Sequence, residues 1–411
     1  MDGTVVEPVG SPAAPAGPAG PAASGALARA VCVADLRRLA RRRLPRAVFD
    51  FIDGGAGDER TLRANEEAFA DWRLLPRVAV DVSRRTAGTG ILGHASRLPL
   101  VLAPTGLAGL FHPDGEAAAA RAAAAAGVPF CLSTNSVASI EEVAAAAGRT
   151  ERWFQLYFLK DRDWMASLVN RARAADYRVL CVTLDLPITG RRERDQRNGF
   201  TMPLRPTPRN LLDLALRPRW LLGALRSPVR FGNFEGLAPS GITSVASHVA
   251  TLFDPSATWD DVARLRDAWP GPVVVKGILH PDDAVRAVTL GADAVIVSNH
   301  GGRQLDQVPA SLEALPAVVG ALAGRAEVIL DGGVRRGTDV LTALALGASA
   351  CMIGRAFLWG LSAGGQAGVA RTLRILADEI DTAMALLGVD TVAALGRDHL
   401  RPAGRTGYDD S

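Results

Sequence analysis

Eight short apolar runs, separated by stretches of helical pattern, constrain this chain more than any other feature. They are Pro99–Pro104, Phe130–Thr134, Trp153–Phe158, Arg178–Asp185, Pro272–Gly277, Ala294–Asn299, Glu327–Gly332 and Ala350–Gly354. Most are continuously apolar rather than alternating, the pattern of parallel strands buried on both faces. Between them lie helical stretches such as Gly115–Ala126, Ile140–Ala147, Pro281–Leu290 and Thr338–Leu346. Several close on a glycine, which ends a helix by turning left-handed. Eight such units in succession predict an α/β fold, a (β/α)8 or TIM barrel. A doubly wound open sheet is the alternative, but no G-x-G-x-x-G follows the first strand.

Residues 33–75 read as helices in front of the barrel. Asp35 is a candidate cap for the first, and Leu44-Pro45 breaks it. Residues 1–28 are nearly all Ala, Gly, Pro, Ser and Val and read as a disordered tail, and 403–411 is set apart as a C-terminal tail. One domain is expected over 29–402, with an excursion at about 199–257 after strand four that no simple crossover requires. The excursion holds Pro203-Leu204-Arg205-Pro206 and then arginines interleaved with Trp220 and leucines. That composition suits a membrane surface over about 203–230. A lid over the barrel mouth is the favoured reading, because long loops over a barrel usually serve its site.

With 411 residues and 48% hydrophobic residues, the chain can close one large core. A net charge of +3, with arginines scattered, argues against a nucleic-acid partner. Cys32, Cys131, Cys181 and Cys351 lack metal or disulfide spacing, so no metal and a reduced, cytoplasmic compartment are expected.

Barrel enzymes carry reactive groups at the C-terminal ends of their strands. Those ends supply Thr105, Ser133, Gln155, Tyr157, Thr183, Asp185, Lys276, Ser298, His300, Arg303, Asp331 and Arg355. In Ser298-Asn299-His300-Gly301-Gly302-Arg303 a strand ends in a histidine suited to accept a proton at neutral pH. Asp185 is the candidate that orients it. Arg303 offers a planar fork for a carboxylate, with a surface pair to Asp306 as the alternative. Arg191 and Arg192 are candidates for a second cation, unless one pairs with Glu193 or Asp195. Lys276 ends Val273-Val274-Val275 and serves either as a Schiff-base lysine or, preferred here, as a cation beside an anionic cofactor. Gly332, Gly333 and Arg335 after strand seven, with Gly354 and Arg355 after strand eight, have the composition of a phosphate cradle.

Taken with Phe154-Gln155-Leu156-Tyr157, Gly190-Arg191-Arg192, Asp331–Asp339 and Ile353-Gly354-Arg355, these residues resemble the FMN-dependent 2-hydroxy acid dehydrogenase and oxidase family. Its members include glycolate oxidase, lactate dehydrogenase, mandelate dehydrogenase and hydroxymandelate oxidase. The resemblance covers about residues 33–402; the excursion and Asn233-Phe234 are more similar to the mandelate and lactate dehydrogenase branch, whose excursion can mediate membrane contact. It implies FMN as cofactor and oxidation of an L-2-hydroxy acid, with oxygen or a quinone as the final acceptor. By that resemblance His300 is the base, Asp185 its partner, and Arg303, Arg192 and Tyr157 hold the substrate carboxylate. The flavin ring would lie on Pro104, Thr105 and Gly106, touching Ser133, Gln155, Thr183 and Ser298, with Lys276 at its N1/O2 edge. Asp331, Gly332, Gly333, Arg335, Gly354 and Arg355 would hold the ribityl chain and phosphate.

Two positions depart from the family pattern. Phe51 stands where a tyrosine is usual, and losing that hydrogen bond to a charged group costs roughly 1.5–3 kcal/mol if nothing replaces it. Asn135 stands where glycolate-type members carry a tryptophan, which leaves room for a bulkier, aromatic side chain. Oxidation of an amine or a specialised biosynthetic intermediate, or a barrel isomerase, are the competing expectations. Homo-oligomers are common among such barrels.

Overall fold

The computed structural model describes residues 25–148, 150–199, 208–227, 230–234 and 252–404. The barrel strands are β1 Leu100–Leu102, β2 Phe130–Ser133, β3 Arg152–Tyr157, β4 Val179–Thr183, β5 Val273–Ile278, β6 Ala294–Ser298, β7 Glu327–Asp331 and β8 Ala350–Ile353. They close into one parallel barrel, with β8 pairing back on β1 through Cys351↔Leu100 and Ile353↔Leu102. Alternate side chains fill the interior, among them Val101, Cys131, Trp153, Cys181, Ile296 and Met352. Their neighbours Leu100, Leu132, Phe154, Leu180 and Val297 point outward into the helix layer. Both faces are therefore apolar, which is why the runs do not alternate in sequence.

A hairpin, Thr89–Ile91 with His94–Ser96, sends Ile91 and Leu92 into the bottom of that interior. The helices ahead of it include α1 Val33–Arg43 and α2 Arg46–Asp53, separated at Leu44-Pro45 as expected. Asp35 caps α1 from inside its first turn rather than ahead of it. Its Oδ2 accepts the Val31 and Cys32 N–H groups at 2.8 and 3.3 Å. The stretch expected to be a disordered tail needs a correction at its end, since Gly25–Ala28 is helical and buries Leu27. Apolar contact explains this: Leu27 packs on the long terminal helix Arg355–Leu387. Near the other end, Ala403 donates to the Asp71 carbonyl, and Leu400–Pro402 pairs with Trp72–Leu74. Residues 1–24 and 405–411 lie outside the described residues.

Four more helices set the site: α3 Ala108–Phe111, α4 Glu193–Arg197, and in the excursion α5 Pro208–Ala215 and α6 Pro218–Arg226. The Pro203–Pro206 motif lies outside the described residues. Arg217 Nε donates to the Leu44 carbonyl at 3.2 Å and Trp220 Nε1 to the Leu110 carbonyl at 2.9 Å, which docks α6 on α2 and α3. Leu212, Leu216, Leu222 and Leu225 remain exposed on the outer side. The described helices of the excursion thus lie against α2 and α3, with these leucines turned away from them.

The return of the excursion is stitched to the loop after β2 by Asn233, which is fully buried. Its Oδ1 accepts the Ile140 N–H at 3.0 Å, while Nδ2 donates to Ser136 Oγ at 2.9 Å and the Thr134 carbonyl at 3.2 Å. Asn233→Leu leaves several buried groups unpaired and is expected to destabilise the fold by about 2–3 kcal/mol in urea unfolding; an unchanged midpoint would contradict this role.

Candidate active site

Past β6 the backbone enters the left-handed region for three consecutive residues, with φ of 58° at His300, 64° at Gly301 and 71° at Gly302. A non-glycine residue there is strained, and such strain is held only by its surroundings. His300 N–H donates to Ser298 Oγ at 3.0 Å, and Gly302 N–H to Asn299 Oδ1 at 3.0 Å. Asn299 and Asn65 exchange two amide hydrogen bonds of 2.8 Å, so a helix outside the barrel braces the turn. A Cβ on Gly301 would sit 2.5 Å from Arg355 Nη1, and one on Gly302 2.5 Å from the Leu62 backbone nitrogen. The glycines therefore make room for a guanidinium and a neighbouring chain.

The turn aims the imidazole. Nδ1 lies 2.8 Å from Asp185 Oδ1, and Nε2 lies 3.4 Å from the Tyr157 hydroxyl. With Nδ1–H donating to the carboxylate, Nε2 is left facing the cavity as an acceptor. Burial, then the Asp185 charge, push the Tyr157 phenol well above its usual range, so it stays a neutral hydroxyl.

Arg303 does not pair with Asp306, the alternative considered from sequence. Asp306 Oδ1 instead accepts the Thr61 N–H at 2.8 Å. Arg303 Nη1 donates to the carbonyls of Phe51 and Gly54 at 2.7 and 3.1 Å. Arg355 reaches the same helix end, through Nε to Ile52 O at 3.0 Å and Nη2 to Gly54 O at 2.8 Å. Burial, then the nearby Arg192 and Arg355 charges, bring the Arg303 pKa down to about 9. Burial and Arg335 bring that of Arg355 to about 10. A cluster of cations this crowded favours an anionic ligand.

Of the two arginines after β4, Arg192 lines the cavity and Arg191 is exposed. Asp195, in α4, holds Arg192 Nε at 3.0 Å and is itself buried. Phe51 lies beneath both site guanidinia, 5.0 Å from Arg303 and 5.7 Å from Arg192 by ring centroid, and beside Phe111 at 6.3 Å. The absent tyrosine hydroxyl is thus replaced by a ring face on which the two cations rest.

On the opposite wall Lys276 Nζ meets Asp331 Oδ2 at 2.5 Å and Ser298 Oγ at 2.7 Å, while Ser298 Oγ donates to Asp331 Oδ2 at 2.7 Å. Burial opposes the ammonium, but Asp331 and then Asp185 outweigh it and hold the Lys276 pKa above normal. Lys276 stays a fixed cation, which disfavours a Schiff-base role, since that needs a neutral amine.

A cavity of about 450 Å³ joins these groups. Pro104, Thr105, Gly106, Ser133, Gly332, Gly333, Arg335 and Gly354 complete its wall; Asp185, Gln155, Thr183 and Ser298 stand behind it. Gln155 Nε2, Thr183 Oγ1 and Arg335 Nε are buried without a hydrogen-bond partner. Such orphans point to a polar ligand. Together with the cation at Lys276 and the glycine turn flanked by Arg335 and Arg355, they fit a flavin ring with a phosphate tail.

Sequence reasoning missed Asn65 and Glu116. Glu116, fully inside the protein, accepts the Ala108 and Val137 N–H groups at 2.9 Å each and ties α3 to the loop after β2. Nothing local distinguishes either residue in sequence. Asp195 had entered only as a salt-bridge alternative, on its spacing from Arg192. Among the other histidines, His399 is buried, His94, His112 and His280 lie near acidic side chains, and His248 is outside the described residues.

Comparison with known proteins agrees with this geometry. Residues 40–402 match the family described as FMN-dependent dehydrogenase. The chain is 48% identical over 368 residues to an L-lactate dehydrogenase of Caulobacter vibrioides, covering 88% of this chain and 95% of that one. It is 45% identical over 371 residues to an L-lactate dehydrogenase of Xanthomonas campestris pv. campestris, covering 89% and 96%. Among solved structures, the monotopic membrane protein (S)-mandelate dehydrogenase superposes with a TM-score of 0.88 at 40% identity, covering 91% of this chain and all of the other. A mandelate oxidase superposes with a TM-score of 0.78 at 43% identity, covering 90% and 98%.

The glycine turn after β7 can be tested against a control. A Cβ on Gly333 would lie 1.8 Å from the Asn65 carbonyl oxygen at a φ of 80°, whereas one on helical Gly320 meets nothing within 4 Å. Gly333→Ala is expected to lower stability by at least about 1–3 kcal/mol. Gly320→Ala should raise it by about 0.5–1 kcal/mol. Thermal unfolding of the two variants checks both signs.

Proposed function

Because this chain belongs to the FMN-dependent dehydrogenase family, an FMN-dependent oxidoreductase of 2-hydroxy acids, we propose that its substrate is an L-2-hydroxy acid with an aromatic, mandelate-like side chain, oxidised to the 2-oxo acid. The observation that carries this reading is the placing of an oriented base and two guanidinia on one cavity. His300 is held by Asp185 at 2.8 Å, and Arg303 and Arg192 share the wall with the Tyr157 hydroxyl. An aromatic lining of Phe51, Phe111, Phe231 and Phe253 supports a ring-bearing substrate.

In this reading the substrate carboxylate lies on Arg303 and Arg192 and accepts a hydrogen bond from Tyr157. That anchors the 2-hydroxyl beside His300 Nε2. His300 takes the hydroxyl proton if the Cα hydrogen leaves as hydride, or the Cα proton if a carbanion forms; Asp185 stabilises the imidazolium either way. When bound, FMN supplies the two-electron acceptor. Lys276, fixed by Asp331 and Ser298, would set a positive charge at the N1/O2 edge of the ring. Pro104, Thr105, Gly106 and Ser133 would contact the ring itself, with Gln155, Thr183 and Ser298 behind them. Asp331, Gly332, Gly333, Arg335, Gly354 and Arg355 would hold the ribityl phosphate. The aromatic cover and the flanking excursion limit water at the reacting carbon.

The final acceptor is oxygen or a quinone, and the exposed leucines of α5 and α6 support a quinone reached from a membrane surface. No helix among the described residues is long and apolar enough to cross a membrane, so the contact would be peripheral. The (S)-mandelate dehydrogenase it resembles is described as monotopic.

Anaerobic mixing with L-mandelate should bleach the flavin band in the native protein. His300→Ala should slow that bleaching by about 10²–10⁴-fold while flavin stays bound; rapid reduction by the variant would remove His300 from the mechanism. Arg303→Lys loses the bidentate fork and should raise KM about tenfold or more. Phe51→Tyr adds a hydroxyl beside both guanidinia and should lower KM for L-lactate several-fold, read from steady-state kinetics with an artificial acceptor.

A further inference from the structure

We propose that the Asn135 side-chain amide reads a hydrogen-bonding substituent, a phenolic hydroxyl above all, on the aromatic ring of the substrate. This rests on the 2-hydroxy acid reading above and narrows it to ring-hydroxylated substrates.

Asn135 follows β2 and its backbone is pinned on both sides. Its N–H donates to Ser133 Oγ at 3.2 Å, and its carbonyl accepts the Leu107 N–H at 3.0 Å. A methyl group on Gly106 would lie 3.1 Å from its Cβ, so the side chain starts hard against the cavity wall. The amide itself makes no hydrogen bond to any described residue, and Oδ1 is buried.

The neighbouring hydroxyls are already engaged. Ser133 Oγ donates to Gln155 Oε1 at 3.2 Å, Thr134 Oγ1 to the Gln155 carbonyl at 2.6 Å, and Ser136 Oγ to the Ala138 carbonyl at 2.6 Å. The hydrogens of these three hydroxyls are committed, so none of them donates to Asn135 Oδ1. A buried polar atom left in this way is costly, so the cavity is expected to supply what the protein does not.

Direction follows from the other end of the ligand. With the carboxylate on the two guanidinia and Tyr157, the ring is left to the rest of the same cavity, whose wall includes Leu107, Phe111 and Asn135. An unsubstituted ring there covers the amide with carbon and denies it water. A hydroxyl both donates and accepts, so it satisfies the amide whichever of its two polar atoms points inward. Sites with a buried polar group discriminate strongly against the ligand that leaves it unpaired. Because the cavity is partly open, about ten- to hundredfold is the scale expected here.

The test uses the holoenzyme and two readouts. Flavin reduction is followed anaerobically with (S)-mandelate and its 3- and 4-hydroxy derivatives. Binding is followed separately by perturbation of the oxidised flavin spectrum with phenylacetate and its 3- and 4-hydroxy derivatives, which lack the 2-hydroxyl and are not oxidised. The native protein should prefer one hydroxylated ring by about tenfold or more in both series, and in Asn135→Leu the ratio should collapse to about one. A native ratio of one in both series overturns the proposal and leaves the amide to bound water. A preference that survives in Asn135→Leu also overturns it. If no hydroxy acid reduces the flavin, the 2-hydroxy acid reading fails by itself, and the phenylacetate series still decides the role of Asn135.

Discussion

Three backbone carbonyls at the end of α2, those of Phe51, Ile52 and Gly54, have no acceptor role left within the helix. Arg303 and Arg355, delivered from the ends of β6 and β8, bond to all three. A helix C-terminus attracts cations through its carbonyls and its dipole. Here the cations belong to the site, so α2 serves as their scaffold. The same helix puts the Phe51 ring against the guanidinia of Arg303 and Arg192. Asp53, in its last turn, binds Arg37 of α1 at 2.6 Å and Arg194 of α4 at 3.2 Å. A segment outside the barrel thus sets the positions of the groups that face the ligand.

The charges at the mouth divide into two sets. Lys276 is locked to Asp331 and Ser298, and Arg192 is steadied at Nε by Asp195. Arg303 and Arg355 are held through backbone oxygens, which direct them without neutralising them. Their lowered pKa values reflect that difference, because burial and repulsion from neighbouring arginines outweigh the carboxylates nearby. The result is a pocket with fixed positive potential that two anionic groups, a carboxylate and a phosphate, would relieve. Neutral aromatic surface lies between and beside those positions.

The eight strands were legible because burial on both faces leaves a continuous apolar signature, and the helices Gly115–Ala126 and Ile140–Ala147 end where their glycines are. His300, Lys276 and Arg303 were legible because a charged residue closing an apolar run in a barrel has few reasons to be there. Asn65, Glu116 and the bracing role of Asn233 were not. Each acts through hydrogen bonds to backbone or amide groups far away in sequence, and no periodicity or spacing marks such a partner. The tail boundary was misjudged for a related reason, because Leu27 is an isolated apolar residue whose burial depends on a helix more than three hundred residues later. At Phe51 the sequence shows only that a hydroxyl is missing. The geometry adds what takes its place.

Closure of the barrel through β8 and β1, with Trp72–Leu74 clasped to Leu400–Pro402, also governs how the molecule comes into being. The pairing that completes the ring joins residues some two hundred and fifty positions apart along the chain. On a ribosome, β1 to β7 would be made before the edge that protects β1 exists. Topologies dominated by such distant contacts fold slowly and expose unpaired strand edges while they wait. Much of the mouth shares that delay, since Arg355 follows β8 and cannot hold α2 until the ring is shut.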